Sequence, residues 1–191
     1  MVVIDVRNRG RLADVTMLDR VRTRALTWAR EQAAEYSGDE PRPLGGYVAL
    51  MSVYGAATLG AAAASRALHR PAPRRIGPWD VVQLIVATHR VSRTISKDPV
   101  TSPLRAPFMQ YAGLQAAGEL HEEVRRNGWQ HSAGELLGCP MCLAQWVATA
   151  LCAGLVLAPV PTRLVLATMT AVGGADFLQQ LYSLLEQASE S

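Results

Sequence analysis

Hydrophobic and polar positions divide the chain into regimes of different period. From Val15 to about Tyr36, the apolar residues Leu18, Val21, Ala25, Trp28 or Ala29, and Ala33 recur at three- and four-residue steps, with arginines between them. That spacing predicts an amphipathic helix packing on the rest of the protein. A competing reading lays the helix on anionic lipid through Arg20, Arg22, Arg24 and Arg30. Ser37 to Pro43 is polar and proline-containing, which marks a linker. Two windows without a single charged side chain follow, residues 44–65 and 136–162, of 22 and 27 residues. Both exceed the ~20 residues that carry a helix across a bilayer. A helix in water wants polar residues on its outer face, so both windows predict membrane spans.

The segments around these windows extend the prediction. The first span runs from about Gly46 to Ser65, where Gly55 and Gly60 are spaced to admit a second helix closely. A basic loop from Arg66 to Arg75 holds Pro71 and Pro73. From Pro78 to Ser96 the pattern is helical but charged: Asp80, Gln83, Ala87, Arg90 and Thr94 share one face, and His89 and Arg93 stand four residues apart on another. Such a helix belongs inside a bundle or at the interface with its arginines snorkelling outward. The Arg-rich N-terminal segment and the Arg66–Arg75 loop each call for the cytoplasmic side of the membrane. One of the first two segments is therefore expected to be re-entrant or interfacial.

Residues 97–135 predict an extramembrane connection, with a short amphipathic helix from Leu114 to Arg126. Its inward positions are Leu114, Ala117, Leu120 and Val124, Glu122 is spaced to pair with Arg126, and Asn127-Gly128 closes it. Pro140 to Leu157 and Thr162 to Leu185 form two further apolar helices, separated by Pro159 and Pro161. So short a link makes them antiparallel neighbours. The expected fold is all-α: a multi-pass membrane helical bundle of about four membrane-associated helices, plus the N-terminal amphipathic helix and the short extramembrane helical connection. The expected division is 1–43, helix and linker; 44–185, membrane domain; and 186–191, a polar tail.

Composition sharpens the exclusions. Of 191 residues, 49% are hydrophobic and 18% charged, with a net charge of +3, which rules out a disordered chain. Three cysteines, an odd count, argue against a disulfide scaffold. The arginines are dispersed, and their purely basic cluster adjoins a span, so topology explains it better than nucleic acid does. No phosphate-binding loop, dinucleotide glycine fingerprint or zinc-protease motif is present. The expected partners are the lipid bilayer and a membrane protein or second copy of the chain, with no nucleic acid. The expected role is structural or partner-binding rather than enzymatic, at the cell membrane. A soluble helical bundle with its apolar helices buried is the remaining alternative.

Two constellations carry candidate chemistry. Cys139-Pro140-Met141-Cys142 places two thiols at the start of a helix, whose positive N-terminal end favours thiolate. They suit a redox pair or half of a metal site. His121, His131 and Glu135 are the nearby residues that could complete a zinc site, although no βαβ pattern or second C-x-x-C surrounds the motif. No cofactor is expected on the structural reading, and zinc only on this one. The competing view is that small cysteines and a proline start a membrane helix. The second constellation is an intramembrane polar network of Asp80, His89, Arg90, Arg93 and Asp176. A bare charge in hydrocarbon demands a partner, so Asp176 is expected within reach of His89, Arg90 or Arg93. Asp80 also suits plain stabilisation of a helix N-terminus.

Several ordered motifs add a resemblance. Gly77-Pro78-Trp79-Asp80, then Ala87-Thr88-His89-Arg90 with Arg93, then Lys97-Asp98 and Val100 to Phe108, then Gly134-Glu135-Leu136-Leu137 leading to Cys139-Pro140-x-Cys142 and Trp146, follow one another. This combination resembles the bacterial domain-of-unknown-function family thirteen-sixty, small predicted membrane proteins of which some are labelled sporulation proteins. The resemblance spans about residues 45–183. It implies location and fold class, and no catalytic residue.

Overall fold

The computed structural model describes residues 6–37, 42–70, 76–116, 118–125 and 128–190. They form two compact units, Met1–Leu44 and Gly45–Ser191. The first is built on α1 (Val6–Ser37), longer than its apolar periodicity suggested. Within α1 the hydroxyls of Thr23, Thr27 and Ser37 each donate to the carbonyl four residues back.

The second unit is mostly helical. It comprises α2 (Leu44–Ala67), α3 (Pro78–Lys97), a 3-10 turn at Pro99–Thr101, α4 (Ser102–Arg105), β1 (Met109–Ala116), β2 (Glu119–Val124), α5 (Gly128–Gly138), α6 (Pro140–Leu157) and α7 (Pro159–Glu190). Helix α3 is the hub, packing against both α6 and α7, which also touch each other. Its inner positions are small, Ala87, Ser92 and Ser96, so the neighbouring helices approach closely. With Leu143 and Val147 of α6, Leu166 of α7 and Met109 of β1, Ala87 makes a thin buried core. The close approach of α7 depends on Gly173, where an added Cβ would lie 2.8 Å from Val86 Cγ1. Gly55 and Gly60 do not play the same part in α2, because nothing lies within 4 Å of a Cβ at either position.

The connection between α3 and α5 differs from its expectation. In place of a helix from Leu114, the described residues of β1 and β2 form an antiparallel hairpin, with Met109 opposite Val124 and Ala116 opposite Glu119, while Ala117 lies outside the described residues. Gly118 adopts φ 80° between the strands, a left-handed conformation that glycine enters without a Cβ clash. In β2 the half-buried residues Leu120, Glu122 and Val124 alternate with exposed His121 and Glu123, the period of a strand. Glu122 pairs with Arg105, while Arg126 and Asn127 lie outside the described residues. Most of the basic loop, residues 71–75, also lies outside them.

Candidate functional site

The polar groups of the second unit gather around the C-terminal half of α3. Arg105 is fully buried and holds the turn after α3 in place. Its guanidinium donates to the carbonyls of Ile95 (2.7 Å) and Asp98 (3.2 Å) and to Thr101 Oγ1 (2.7 Å), and it pairs with Glu122 of β2. The last carbonyls of a helix lack intrahelical partners, and this side chain supplies one to Ile95 while fastening the hairpin to the helix end. Arg105 and Thr101 sit inside the Val100–Phe108 motif, whose order was visible in the sequence but whose role was not. Phe108 closes the other side of the connection with an edge-on contact to Trp129 of α5, ring centroids 5.7 Å apart. Gly134 of α5 lets the hairpin in: a Cβ there would stand 2.7 Å from Val124 Cγ1 and 3.0 Å from the Phe108 carbonyl oxygen.

Beside this anchor, α3, α7 and the hairpin turn enclose a polar cleft of about 1020 Å³. Arg90 bridges two acids across it, with Nη2 3.3 Å from Asp98 and Nε 3.2 Å from Asp176. Asp176 therefore meets one of the three expected bases, and α3 packs on α7. Arg93 turns to Glu119 at the start of β2. His89 lines this cleft and a second one on the other face of α3. Asp80 stands apart: its carboxylate accepts from the Gly77 N–H at 3.3 Å, an N-terminal cap for α3. The network as found thus contains Asp98 and Glu119, which sequence reasoning missed. Glu119 is invisible as a partner until the hairpin is known.

The thiols occupy the junction of α5 and α6. Cys139 caps α6, its Sγ accepting from the Cys142 N–H at 3.3 Å. All three cysteines are free thiols. The Cys139 thiol sits below its ordinary range: burial opposes this most strongly, but hydrogen bonds from Cys142 and from the Cys142 and Met141 N–H groups, with the charge of Lys97, outweigh it. One cleft, of about 870 Å³, runs from Cys139 along α3 and α6 past Lys97, Arg93, Leu84, Ile85 and Ala144. A second, of about 620 Å³, joins Cys139 and Cys142 to Glu135 and Tyr47. Glu135 accepts from the Tyr47 hydroxyl of α2 through one carboxylate oxygen, and its other oxygen lies 3.3 Å from His131 Nε2. Among the described residues, no three His, Cys, Asp or Glu side chains gather into a metal-binding group. Of the candidate zinc ligands, Cys139, Cys142, His131 and Glu135 accordingly divide into a thiol pair and a His131–Glu135–Tyr47 chain.

Helices α2 and α6 meet through polar groups as well. The Tyr54 hydroxyl lies 2.7 Å from Thr149 Oγ1 and accepts from Gln145 Nε2 at 2.9 Å, while its ring stands edge-on to Trp146 with centroids 5.1 Å apart. These two helices are long and apolar enough to cross a membrane.

The sequence family described as "Protein of unknown function (DUF1360)" matches residues 83–182, just over half of the chain. The chain belongs to that family. The matched stretch starts in α3 and ends in α7, so it contains the polar cleft, the Arg105 anchor, the hairpin and the thiols, and excludes α1 and α2. Members of the family therefore share with this chain the segment that forms its α3-centred core. No curated protein and no solved structure matches the chain.

Proposed function

We propose that this protein is a multi-pass integral protein of the bacterial cytoplasmic membrane with a structural or partner-binding role. The observation that carries the reading is α2. Over 24 residues it buries none of its side chains, and Val48, Met51, Val53 and Leu59 are all more than half exposed. Removing one such aliphatic side chain from water is worth about 1.5–3 kcal/mol, so a helix of this composition requires an apolar cover. Lipid supplies it without a further protein. Polar contacts support the same reading, because Tyr54, Thr149 and Gln145 satisfy one another between α2 and α6. Ser52 and Thr58 bond to carbonyls of their own helix. Polar side chains in hydrocarbon need such partners.

Helices α2 and α6 are the principal spans in this reading. The charged helix α3 lies behind α6 and α7, with Arg90 and Arg93 directed to the polar cleft. That cleft, polar and internally paired, suits the recognition of a partner segment rather than turnover of a substrate. Alkaline carbonate extraction of membranes from expressing cells tests the reading. The protein should stay in the pellet and dissolve only with detergent. Release into the carbonate supernatant, as a monodisperse species without detergent, would replace it with a soluble bundle.

A further inference from the structure

Cys139 and Cys142 differ in setting although they share one helical turn. Cys139 is half-buried and lines both neighbouring clefts, whereas Cys142 is exposed and lines only the one shared with Glu135. A separation of three residues at a helix start brings two Cα atoms to about 5–6 Å, inside the range a disulfide spans. The cleft on the α3 side has apolar walls from Leu84, Ile85, Ala144 and Ala148, and Lys97 and Arg93 at its polar end. Arg93 is already paired with Glu119, which leaves Lys97 as the cation that acts on Cys139.

We propose that Cys139 and Cys142 are a dithiol–disulfide couple that exchanges with a small apolar disulfide bearing an acidic group, seated in the cleft between α3 and α6. Cys139 attacks, Cys142 resolves, and Lys97 meets the acidic group. In the first step the Cys139 thiolate bonds to one substrate sulfur, the substrate S–S bond breaks, and the departing thiolate takes a proton. In the second step Cys142 loses its proton and attacks Cys139 Sγ. The mixed disulfide breaks, the internal Cys139–Cys142 disulfide forms, and the second substrate thiol leaves. The chain loses two electrons and the substrate disulfide gains two. The lowered thiol of Cys139 favours it as the attacker, since thiolate is the reactive form. Arranged this way, the cleft brings substrate to Cys139 with Cys142 one turn behind it.

The test uses the detergent-solubilised full chain carrying Cys152→Ala, reduced and then mixed with dithiobis(nitrobenzoate), an aromatic anionic disulfide. Both nitrothiobenzoates should be released while the chain ends unlabelled, two hydrogens lighter by intact mass. Cys142→Ser should stop at the mixed disulfide with one label retained. Cys139→Ser, which keeps a capping residue at that position, should slow the first release by about tenfold. Lys97→Gln should slow it severalfold, while the rate with the cationic disulfide cystamine, lower throughout because its leaving thiol is more basic, should not fall. Circular dichroism confirms that each variant remains helical. A chain that ends doubly labelled, or a Cys142→Ser variant that sheds its label, overturns the couple. A Lys97→Gln change that slows both disulfides equally, or neither, overturns the acidic substrate class.

Discussion

Arg105 concentrates more of the architecture in one side chain than any other described residue. It is 0% exposed and its carboxylate partner Glu122 is 7% exposed, so neither charge has solvent to fall back on. Breaking one side of a buried ion pair costs roughly 3–5 kcal/mol. Arg105→Met should therefore lower the thermal midpoint in detergent severely. Arg105→Lys should recover little, because an ammonium cannot reach Ile95, Asp98, Thr101 and Glu122 together as the guanidinium fork does. The paired glycines of α7 make a finer test. Gly173→Ala drives a Cβ against Val86 and should cost about 1–3 kcal/mol, as overpacking does, whereas Gly174 has nothing within 4 Å. At that open helical site alanine should stabilise by up to about 1 kcal/mol. Opposite shifts in midpoint at adjacent positions are the expected result, and shifts of one sign would contradict the packing of α7 on α3.

At the scale of elements, the hairpin is the part that sequence periodicity concealed. Leu114, Ala117, Leu120 and Val124 fall on helical steps, and that pattern competed with the alternation of Leu120, Glu122 and Val124. The second pattern is hard to recognise because one of its inward residues is a glutamate. Its inward place makes sense only with Arg105 opposite, 17 residues away in sequence. Gly113 and Gly118, both at positive φ, were the local signals that favoured strands and a turn over a helix. The α3–α7 pairing was legible for a different reason: a lone acid in an apolar segment calls for a base. Its energy should be modest. Arg90 and Asp176 are 24% and 40% exposed, and pairs with that access to solvent contribute about 0–1 kcal/mol. Asp176→Asn should thus shift the midpoint slightly, and less at high salt. Exchanging the charges, Arg90→Asp with Asp176→Arg, should restore stability incompletely, because Arg90 also pairs with Asp98. Full restoration would show that the Asp98 contact contributes nothing.

At the scale of the whole molecule, the second unit has a thin core and two helices whose composition suits lipid. Tyr54→Phe offers a way to weigh the contact between them. It removes the hydroxyl shared by Thr149 and Gln145, and interhelical hydrogen bonds of this kind are worth about 0.6 to 2 kcal/mol in membranes. Protein carrying the variant should remain in the membrane pellet, since insertion depends on the apolar faces, but should lose thermal stability in detergent by that amount. Loss of membrane retention would instead assign Tyr54 a part in insertion itself.

Charge spacing alone determined a good deal. Windows free of charge identify α2 and α6, because each ionised side chain in an apolar helix carries a large desolvation cost and so leaves a clear mark by its absence. The helix starts at Pro78 and Pro140 were equally visible, since proline suits a first helical position and Gly77 and Cys139 precede them. The family motifs marked the stretch that holds the cleft, the hairpin and the thiols. Tertiary structure decided what those residues do. It made α3 the hub, placed Arg105 under the hairpin, drew Asp98 and Glu119 into the cleft with Arg90 and Arg93, and joined Glu135 to Tyr47 of α2. Each of these depends on contacts between residues distant in sequence, and hydrophobic period, which measures only one element at a time, carries no information about them.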